Sequence, residues 1–444
     1  MNASVTAPNW EEDVRPVLKA RCFKCHSDDE KKAELNLQTL ASALKGGSNG
    51  EVLKRGRPNS SPLMQAIEHA EGVEKMPPKS ERMPEEEIEL IRKWILAGLP
   101  EKSGSVVVAA SAFVMKVATE GKPANPALPT GLPAVAESVA RANPVTALAA
   151  SPWAPVVAVG GHGRVAFYHT ETHAPLGQIA FPEGIPQVLR FSRDGALLLV
   201  AGGKPVQSGK AALYDVATGK RLATFGDESD TVLAADFSAD GKLVALGGPT
   251  KTVKVFHTST AQLAYRITKH MDWITAIEFS PDGTRFATAD RVGGIHVWDA
   301  AGGGIVLSLS EHKEAVSALS WRPDGNVIAS ASEDGSVILW NLKDGFPSAT
   351  LTGIHTPKPL GKRYGKVPGG VLSVGWTPEG HLLSVGRDKA AREWDSNGGK
   401  LGACEELPVV PIRVTGTFDG KVAVIGGQDG RVFWWAQGSR TATP

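Results

Sequence analysis

Aromatic residues recur at nearly regular intervals from Val145 onward, and this repetition constrains the fold more than any other feature. Successive aromatics are separated by 46, 42, 42, 42, 54 and 41 residues. They are Tyr168, Tyr214, Phe256, Trp298, Trp340, Trp394 and Trp435. Between them, Asp-Gly pairs link short β-rich runs in the manner of hairpin turns. A small four-stranded sheet cannot bury both faces alone, and a period of about 40 to 45 residues is typical of blades stacked around an axis. We therefore predict an all-β propeller of seven blades over residues 145–444.

The fifth unit resembles the WD-repeat family most closely. It contains Glu311-His312, then the run from Ile328 to Gly335, and then Leu339-Trp340-Asn341. The resemblance implies a buried tetrad of hydrogen-bonded side chains, formed by His312, Ser330, Asp334 and Trp340. Such a tetrad would satisfy an indole N–H and an imidazole that would otherwise be buried without partners.

The other units match the WD pattern less well. The fourth keeps His270, Thr288 and Trp298 but has Val292 where the pattern has aspartate. The first three units have His162, Ser208 and Thr250 at that position. We therefore expect one complete tetrad, with apolar packing setting the geometry of the remaining blades. The histidines of the propeller otherwise look scattered and form no catalytic constellation.

Residues 101–144 precede the repeats and are rich in proline, alanine and glycine. This composition is typical of a linker. The seventh unit supplies only three strands before the chain ends, so its outermost strand should come from elsewhere. Propellers often avoid an exposed strand edge by borrowing a strand from the N-terminal side. We expect that strand within Pro133 to Ala142, or failing that within Ser105 to Ala118.

The first hundred residues contain Cys22-Phe23-Lys24-Cys25-His26, the C-x-x-C-H motif for covalent attachment of haem c. The two thiols form thioethers with the haem, and the adjacent histidine becomes an axial ligand of the iron. A zinc site or a redox dithiol is the competing interpretation. Zinc would need further ligands nearby, and a thioredoxin-like dithiol would need a βαβ pattern; the sequence provides neither.

Two amphipathic helices bracket this motif. Asn9 is positioned to cap the first, with Glu12 as the third residue of its first turn. The second begins at Pro84, has acidic residues in its first turn and stops at Gly98. This arrangement predicts a small all-α cytochrome c-like domain over residues 1–100.

Residues 9 to 100 resemble the planctomycete-type cytochrome c domain. The resemblance rests on Val14-Arg15-Pro16-Val17-Leu18, the Cys22 to His26 motif, Gly56-Arg57-Pro58 with Ser61 and Leu63, Met76-Pro77-Pro78, and Trp94-Ile95 with Ala97-Gly98. It implies one covalently bound haem c, with Met76 as the sixth ligand of the iron.

Physical chemistry also favours Met76 as an iron ligand. A thioether is a soft ligand, and the two prolines that follow restrict the backbone of the loop that presents it. Met83 fits better as the apolar residue before the last helix, Met64 as a core residue, and His69 as a solvated helix residue. An open sixth position or bis-histidine ligation stays as the alternative.

Composition limits the classes of partner and the compartment. The 48 Lys and Arg residues balance 47 Asp and Glu residues, so no global field attracts nucleic acid or an anionic membrane. No apolar run is long enough for a transmembrane helix. The third cysteine, Cys404, should be a buried, inert thiol. The first twenty residues lack the apolar core of a secretory signal, although haem attachment requires export, so we expect a leader that this chain lacks and a periplasmic or otherwise extracytoplasmic location.

The sequence thus predicts an exported electron-transfer protein without catalytic activity of its own. The haem would cycle between Fe(II) and Fe(III), and a redox partner protein would dock on the propeller or at the haem edge. The alternatives are a redox enzyme with a substrate or second cofactor site in the propeller, and a haem-bearing scaffold or sensor. An insertion in the sixth blade, Gly353 to Pro368, projects a long loop whose role the sequence does not reveal.

Overall fold

The computed structural model describes residues 8–54, 58, 61–70, 73–78, 82–96, 98–101, 123, 125–135, 143–356 and 369–444. The chain forms two compact units, Met1–Phe113 and Val114–Pro444. The boundary between them falls within residues 102–122, which lie outside the described part. Each unit is presented separately below.

The N-terminal unit is mainly helical. A π-helical turn, Trp10–Val14, leads directly into α1, and a short 3₁₀ turn covers Lys32–Glu34. The four α-helices are α1 (Arg15–Arg21), α2 (Leu40–Lys45), α3 (Pro62–Ile67) and α4 (Glu85–Leu96). As predicted, the side chain of Asn9 caps the first turn by accepting a hydrogen bond from the Glu12 N–H at 2.9 Å. The described residues of this unit also contain two isolated β-bridges.

The first and last helical segments of this unit pack around a shared apolar core. The rings of Trp10 and Trp94 lie 5.3 Å apart, and both side chains are fully buried. The Trp94 indole donates to the Pro100 carbonyl at 3.1 Å, and the backbone N–H of Trp10 donates to the same oxygen at 2.8 Å. Leu18 of α1 and Ile91 of α4 are buried in the same cluster. Because these helices bracket the C-x-x-C-H motif in sequence, their packing holds the end of α1 in a fixed position.

The second unit is a propeller of seven antiparallel blades, six with four strands and one with three. Blade one holds β1 (Leu148–Ala150), β2 (Val156–Gly161), β3 (Arg164–His169) and β4 (Pro175–Ala180). Blade two holds β5 (Ile185–Phe191), β6 (Leu197–Lys204), β7 (Ser208–Asp215) and β8 (Arg221–Glu228). Blade three holds β9 (Ala234–Phe237), β10 (Leu243–Gly247), β11 (Val253–His257) and β12 (Gln262–Ile267). Blade four holds β13 (Ile274–Phe279), β14 (Arg285–Asp290), β15 (Ile295–Asp299) and β16 (Ile305–Leu309).

The remaining blades repeat the same order. Blade five holds β17 (Val316–Trp321), β18 (Val327–Ser332), β19 (Val337–Asn341) and β20 (Pro347–Leu351). Blade six holds β21 (Val371–Trp376), β22 (Leu382–Gly386), β23 (Ala391–Trp394) and β24 (Lys400–Cys404). Blade seven holds β25 (Pro411–Gly416), β26 (Val422–Gly427) and β27 (Val432–Ala436). All seven recurring aromatics lie on the third strand of their blades, so the count of blades predicted from the sequence is confirmed. Cys404, at the end of β24, is 2 % exposed.

The hairpin turns between first and second strands use a recurring hydroxyl–aspartate pair. In blade two the Ser192 hydroxyl donates to Asp194 at 2.6 Å, and the same carboxylate accepts the Ala196 N–H. Gly195 follows with a φ of 73°, a conformation that glycine adopts without strain. Equivalent pairs occur in the corresponding turns of blades three, four and seven. The turn is therefore encoded locally, which is why its spacing identifies the blades.

The ring closes between blades seven and one. The Val145 N–H donates to the Gly427 carbonyl at 3.1 Å, and Val145 packs in one apolar cluster with Val424 and Trp434. At the outer edge of β27, Trp434 exchanges two backbone hydrogen bonds with Thr443 near the C-terminus. The chain's own tail therefore occupies part of the position for which we expected an N-terminal strand.

The described part of the first candidate strand lies on a different blade. The Pro133 carbonyl accepts a hydrogen bond from the Gln178 N–H at 2.9 Å, which places it beside the outermost strand of blade one. Thr130 donates to the Ala217 carbonyl of blade two, and Leu132 packs against the core that these two blades share. The rest of that candidate, residues 136–142, and the whole second candidate, residues 105–118, lie outside the described residues.

Three blades contain a complete tetrad of buried side chains, and the expectation of one was wrong. In blade five, His312 bonds to Asp334 at 2.9 Å and to Ser330 at 2.7 Å, and the Trp340 indole donates to Ser330 at 2.8 Å. This is the tetrad that the WD resemblance implied.

Blade four forms the same network through a different carboxylate. His270 bonds to Asp290 at 2.9 Å and to Thr288 at 2.6 Å, and the Trp298 indole donates to Thr288 at 2.7 Å. Val292, which occupies the usual aspartate position, is 53 % exposed. The carboxylate reaches the imidazole from two residues earlier in the chain.

Blade six forms the third tetrad. His355 bonds to Asp388 at 2.7 Å and to Ser384 at 2.9 Å, and the Trp394 indole donates to Ser384 at 2.9 Å. His355 belongs to the segment that the sequence analysis treated as an inserted loop, of which residues 357–368 lie outside the described part. The spacing of Ser384, Asp388 and Trp394 matches that of blade five, so this tetrad could have been identified from sequence.

Candidate functional site

The C-x-x-C-H segment forms a tight turn at the C-terminal end of α1. The Cys22 N–H continues the helix by donating to the Leu18 carbonyl at 2.7 Å. The N–H groups of Cys25 and His26 both donate to the Cys22 carbonyl, at 3.1 and 3.0 Å. Both thiols and the imidazole therefore belong to one backbone turn, and all three side chains are partly buried.

An ion pair ties the end of α1 to α4. The Arg21 guanidinium donates two hydrogen bonds of 3.0 Å to the two carboxylate oxygens of Glu87. The pair is bidentate, a geometry in which arginine and carboxylate fix each other's orientation. It lies immediately before Cys22 and so restrains the start of the turn.

The environment of Cys22 favours an uncharged sulfur. Burial raises the pKa of its thiol to about 11, and the nearby Arg21 lowers it by less. A thiolate is therefore disfavoured here, while a thioether, which carries no charge, loses nothing on burial. The site fits covalent attachment through a neutral sulfur better than it fits a metal–thiolate centre.

No hydrogen bond joins the His26 ring to another described residue. Its backbone is fixed, since the Leu37 N–H donates to the His26 carbonyl at 2.9 Å. Its Nδ1 atom is buried without a hydrogen-bond partner among the described residues. In contrast, both ring nitrogens of His270, His312 and His355 are bonded within their tetrads. His26 is therefore held in place by its backbone while its imidazole stays available as a ligand, which fits the haem that the motif implies.

The three methionines weighed as ligands occupy different environments. Met64 is 0 % exposed and Met83 is 4 % exposed, and both belong to the apolar core, as the sequence indicated. Met76 lies outside that core and is partly exposed. Its N–H donates to the Ala66 carbonyl at 3.0 Å, which anchors the start of the Met76-Pro77-Pro78 segment to α3.

His69 is not the solvated helix residue that the sequence suggested. It lies beyond the end of α3 with a φ of 60°, and its N–H donates to the Ala66 carbonyl at 3.3 Å. Its Nε2 atom is buried without a hydrogen-bond partner among the described residues. His69 and Met76 are thus anchored to the same carbonyl. No glycine or proline lies directly at the end of α3 to signal this conformation in the sequence.

The described residues contain no group of three or more His, Cys, Asp or Glu side chains arranged to hold a metal ion. Among those same residues, no helix combines the length and apolar character needed to cross a bilayer.

Comparisons with protein families match both units. The family described as Planctomycete cytochrome C matches residues 22–80, which include the C-x-x-C-H turn and Met76. The family described as WD domain, G-beta repeat, matches residues 261–299 and 303–341, which contain the tetrad residues Trp298 and Trp340. A comparison with individually curated proteins gave no match. The N-terminal unit therefore contains a segment similar to the planctomycete cytochrome c family, and the second unit is a seven-bladed β-propeller with two repeats similar to the WD family.

Proposed function

We propose that this protein is an exported electron-transfer protein in which one haem c is bound to the N-terminal unit. Cys22 and Cys25 attach the haem, and His26 and Met76 ligate its iron. The observation that carries the proposal is the C-x-x-C-H turn, in which the His26 ring has no hydrogen bond to the described protein. When bound, haem c supplies a reversible one-electron couple between Fe(II) and Fe(III).

The residues around the turn hold these ligands in place. The hydrogen bonds to the Cys22 carbonyl fix the backbone of Cys25 and His26, so little conformational entropy remains to be lost when the imidazole binds. The Arg21–Glu87 pair and the packing of α4 restrain the helix that precedes the turn. A rigid ligand set suits electron transfer, because the coordination then changes little between oxidation states.

Met76 is the residue that the surroundings favour as the second protein ligand that would hold the iron. Unlike Met64 and Met83, its side chain is not committed to the apolar core. Thioether sulfur is soft and stabilises Fe(II), which raises the reduction potential in His/Met cytochromes. The Ala66 carbonyl fixes the Met76 backbone and limits the movement of the segment.

The propeller serves as the docking platform for a redox partner protein. WD propellers are rigid frameworks that present loops at both ends of the ring. Three buried tetrads and continuous apolar packing between neighbouring blades give this one the necessary rigidity. We place the protein in the periplasm or another extracytoplasmic compartment, because attachment of haem c takes place outside the cytoplasm.

The test of haem attachment uses the chain matured in an exporting host. Denaturing electrophoresis followed by haem staining should show haem retained on the polypeptide. Cys22→Ser or Cys25→Ser should weaken that staining, and His26→Ala should destroy the native ligation. Cys404→Ser is the matched control, because this buried thiol lies in the propeller, and it should leave the staining unchanged. Complete loss of haem from the wild type under denaturation would refute covalent attachment.

The test of electron transfer is a potentiometric titration of the same material. A carrier should show a reversible one-electron couple, with an absorption spectrum that does not change when carbon monoxide or cyanide is added. A spectrum that changes at once with either ligand would show an open iron site and would favour a sensor or an enzyme.

A further inference from the structure

A cavity of about 110 Å³ lies on the axis of the propeller, and the innermost strands of all seven blades line it. Most of its lining is small and aliphatic. Among the described residues that line it, two carry a formal charge, and both are arginines: Arg190 from β5 and Arg413 from β25. Two guanidinium groups are not required for the packing of a cavity with this lining.

Arg413 occupies a position at which other blades carry small side chains. The innermost strands have the same irregularity in pairing, which aligns Arg413 with Ala276, Ala318 and Ser373. The guanidinium donates one hydrogen bond, to the Ile412 carbonyl at 2.9 Å. No carboxylate among the described residues forms an ion pair with it. Its remaining N–H donors face the cavity without a protein acceptor.

Arg190 is paired with two carboxylates but keeps one unsatisfied donor. One of its terminal nitrogens donates to Glu278 at 3.1 Å, and its Nε lies 4.0 Å from Asp236, close enough for an ion pair but too far for a hydrogen bond. That Nε atom is buried and has no hydrogen-bond partner among the described residues. Both acids also accept backbone hydrogen bonds, Asp236 from the Phe279 N–H at 2.7 Å and Glu278 from the Trp321 N–H at 3.1 Å.

The charges of the two arginines in the channel repel each other. Burial, followed by the charge of Arg190, lowers the pKa of Arg413 to about 10, so the group is still protonated at neutral pH. An unpaired charge inside a protein is costly, and the cost disappears when a counter-charge with hydrogen-bond acceptors is supplied. The channel therefore contains one guanidinium, that of Arg413, without a carboxylate partner among the described residues, and a second, that of Arg190, with an unsatisfied Nε donor.

We propose that the central channel of the propeller binds a small oxyanion, a carboxylate or a phosphate, between the guanidinium groups of Arg413 and Arg190. The planar fork of a guanidinium matches the paired oxygens of both ligand types. The small volume and the aliphatic lining exclude bulky anions. The site lies on the axis that the blades share, and its two arginines come from blades two and seven, on either side of blade one.

The first experiment measures binding to the full-length haem-loaded protein. Equilibrium dialysis with radiolabelled inorganic phosphate should show one saturable site per chain, and acetate should compete for it. The anion with the lower dissociation constant identifies the ligand class, and chloride at matched ionic strength should compete with neither. Absence of saturable binding of both phosphate and acetate to the wild type would overturn the proposal.

The second experiment uses variants of matched arginines on blade seven. Arg413→Met should raise the dissociation constant at least tenfold. Without added anion this variant should melt at the same temperature as the wild type or higher, because an unpaired charge has been removed. Arg431→Met is the control, since Arg431 is exposed and paired with Asp429, and it should bind the anion as the wild type does.

One outcome with these variants would refute the site. If Arg413→Met binds phosphate and acetate as tightly as the wild type, the anion is held elsewhere and the proposal is wrong. Should that variant fail to fold, Arg413→Lys keeps the charge but loses the fork, and it should still weaken binding severalfold. Unchanged binding in Arg413→Lys would then count equally against the proposal.

Discussion

Replacing Asp290 with alanine tests the tetrad that blade four assembles from an unusual position. The Asp290 carboxylate bonds to the His270 Nδ1 at 2.9 Å and also accepts the N–H groups of Val292 at 3.1 Å and Gly294 at 2.8 Å. Burial acts to raise the pKa of Asp290, but the hydrogen bond from His270 and those from the backbone outweigh it and hold the pKa below its usual value. The carboxylate is therefore ionised at neutral pH, where it holds its hydrogen bonds with His270, Val292 and Gly294.

The expected loss follows from what the substitution leaves behind. The His270 side chain is 0 % exposed, so its Nδ1 cannot turn to solvent when the carboxylate is removed. The substitution also removes the acceptor of the Val292 and Gly294 N–H groups, and at about 1–3 kcal/mol for each buried donor left unsatisfied we expect a total loss of about 3–5 kcal/mol. For the roughly 300 residues of the propeller, with an unfolding entropy near 2 cal/mol/K per residue, this corresponds to a decrease in melting temperature of about 5–8 °C.

The assay is thermal and urea unfolding of the full chain, followed by tryptophan fluorescence. Val292→Ala is the matched control, because Val292 occupies the usual aspartate position but is largely exposed, and its effect should stay within about 0.5 kcal/mol. Asp290→Asn keeps one acceptor oxygen and should fall between the two. Equal effects of Asp290→Ala and Val292→Ala on stability would refute the assignment of Asp290 to the tetrad.

Three further predictions concern the iron ligand, pH and the end of the chain. Met76→Ala should open the sixth coordination position of the iron and lower its reduction potential, while Met83→Ala should do neither. An unchanged ligand-field spectrum in the Met76 variant would show that another residue is the ligand. Burial, reinforced by the charge of Asp236, raises the pKa of Glu278 to about 7. The folded state therefore retains a proton that the unfolded state has lost, so this group's contribution to stability falls as pH rises from about 4.5 to about 7. That loss is at most about 3 kcal/mol, and urea unfolding should show that Glu278→Gln abolishes it. Deleting residues 438–444 removes the Thr443 hydrogen bonds at the outer edge of blade seven and should destabilise the propeller by about 1–3 kcal/mol. Urea unfolding measures this change, and an unchanged midpoint would show that the tail does not protect this edge.

Local sequence chemistry explains how much of the architecture could be predicted. The Ser192–Asp194 turn, for example, is formed by residues two apart, and the same chemistry recurs in other blades. The C-x-x-C-H motif is likewise contiguous, so its turn at the end of α1 depends little on distant contacts. The surroundings of the candidate sixth ligand are different, because the sequence favours Met76 over His69 but does not reveal that both are anchored to the same Ala66 carbonyl.

The sequence by itself determined the number of blades, the position of their third strands and the C-x-x-C-H motif, because each depends on residues that are close along the chain. Only the tertiary structure decided which carboxylate completes a tetrad, since Asp290 reaches His270 from a backbone position that the repeat pattern does not mark. It also decided the pairing of Thr443 with Trp434 and the meeting of Arg190 with Arg413 in the channel. Arg190 and Arg413 are distant in sequence and meet only because closure of the ring brings blades two and seven to one channel. The other two contacts depend on backbone positions that the repeat pattern does not mark.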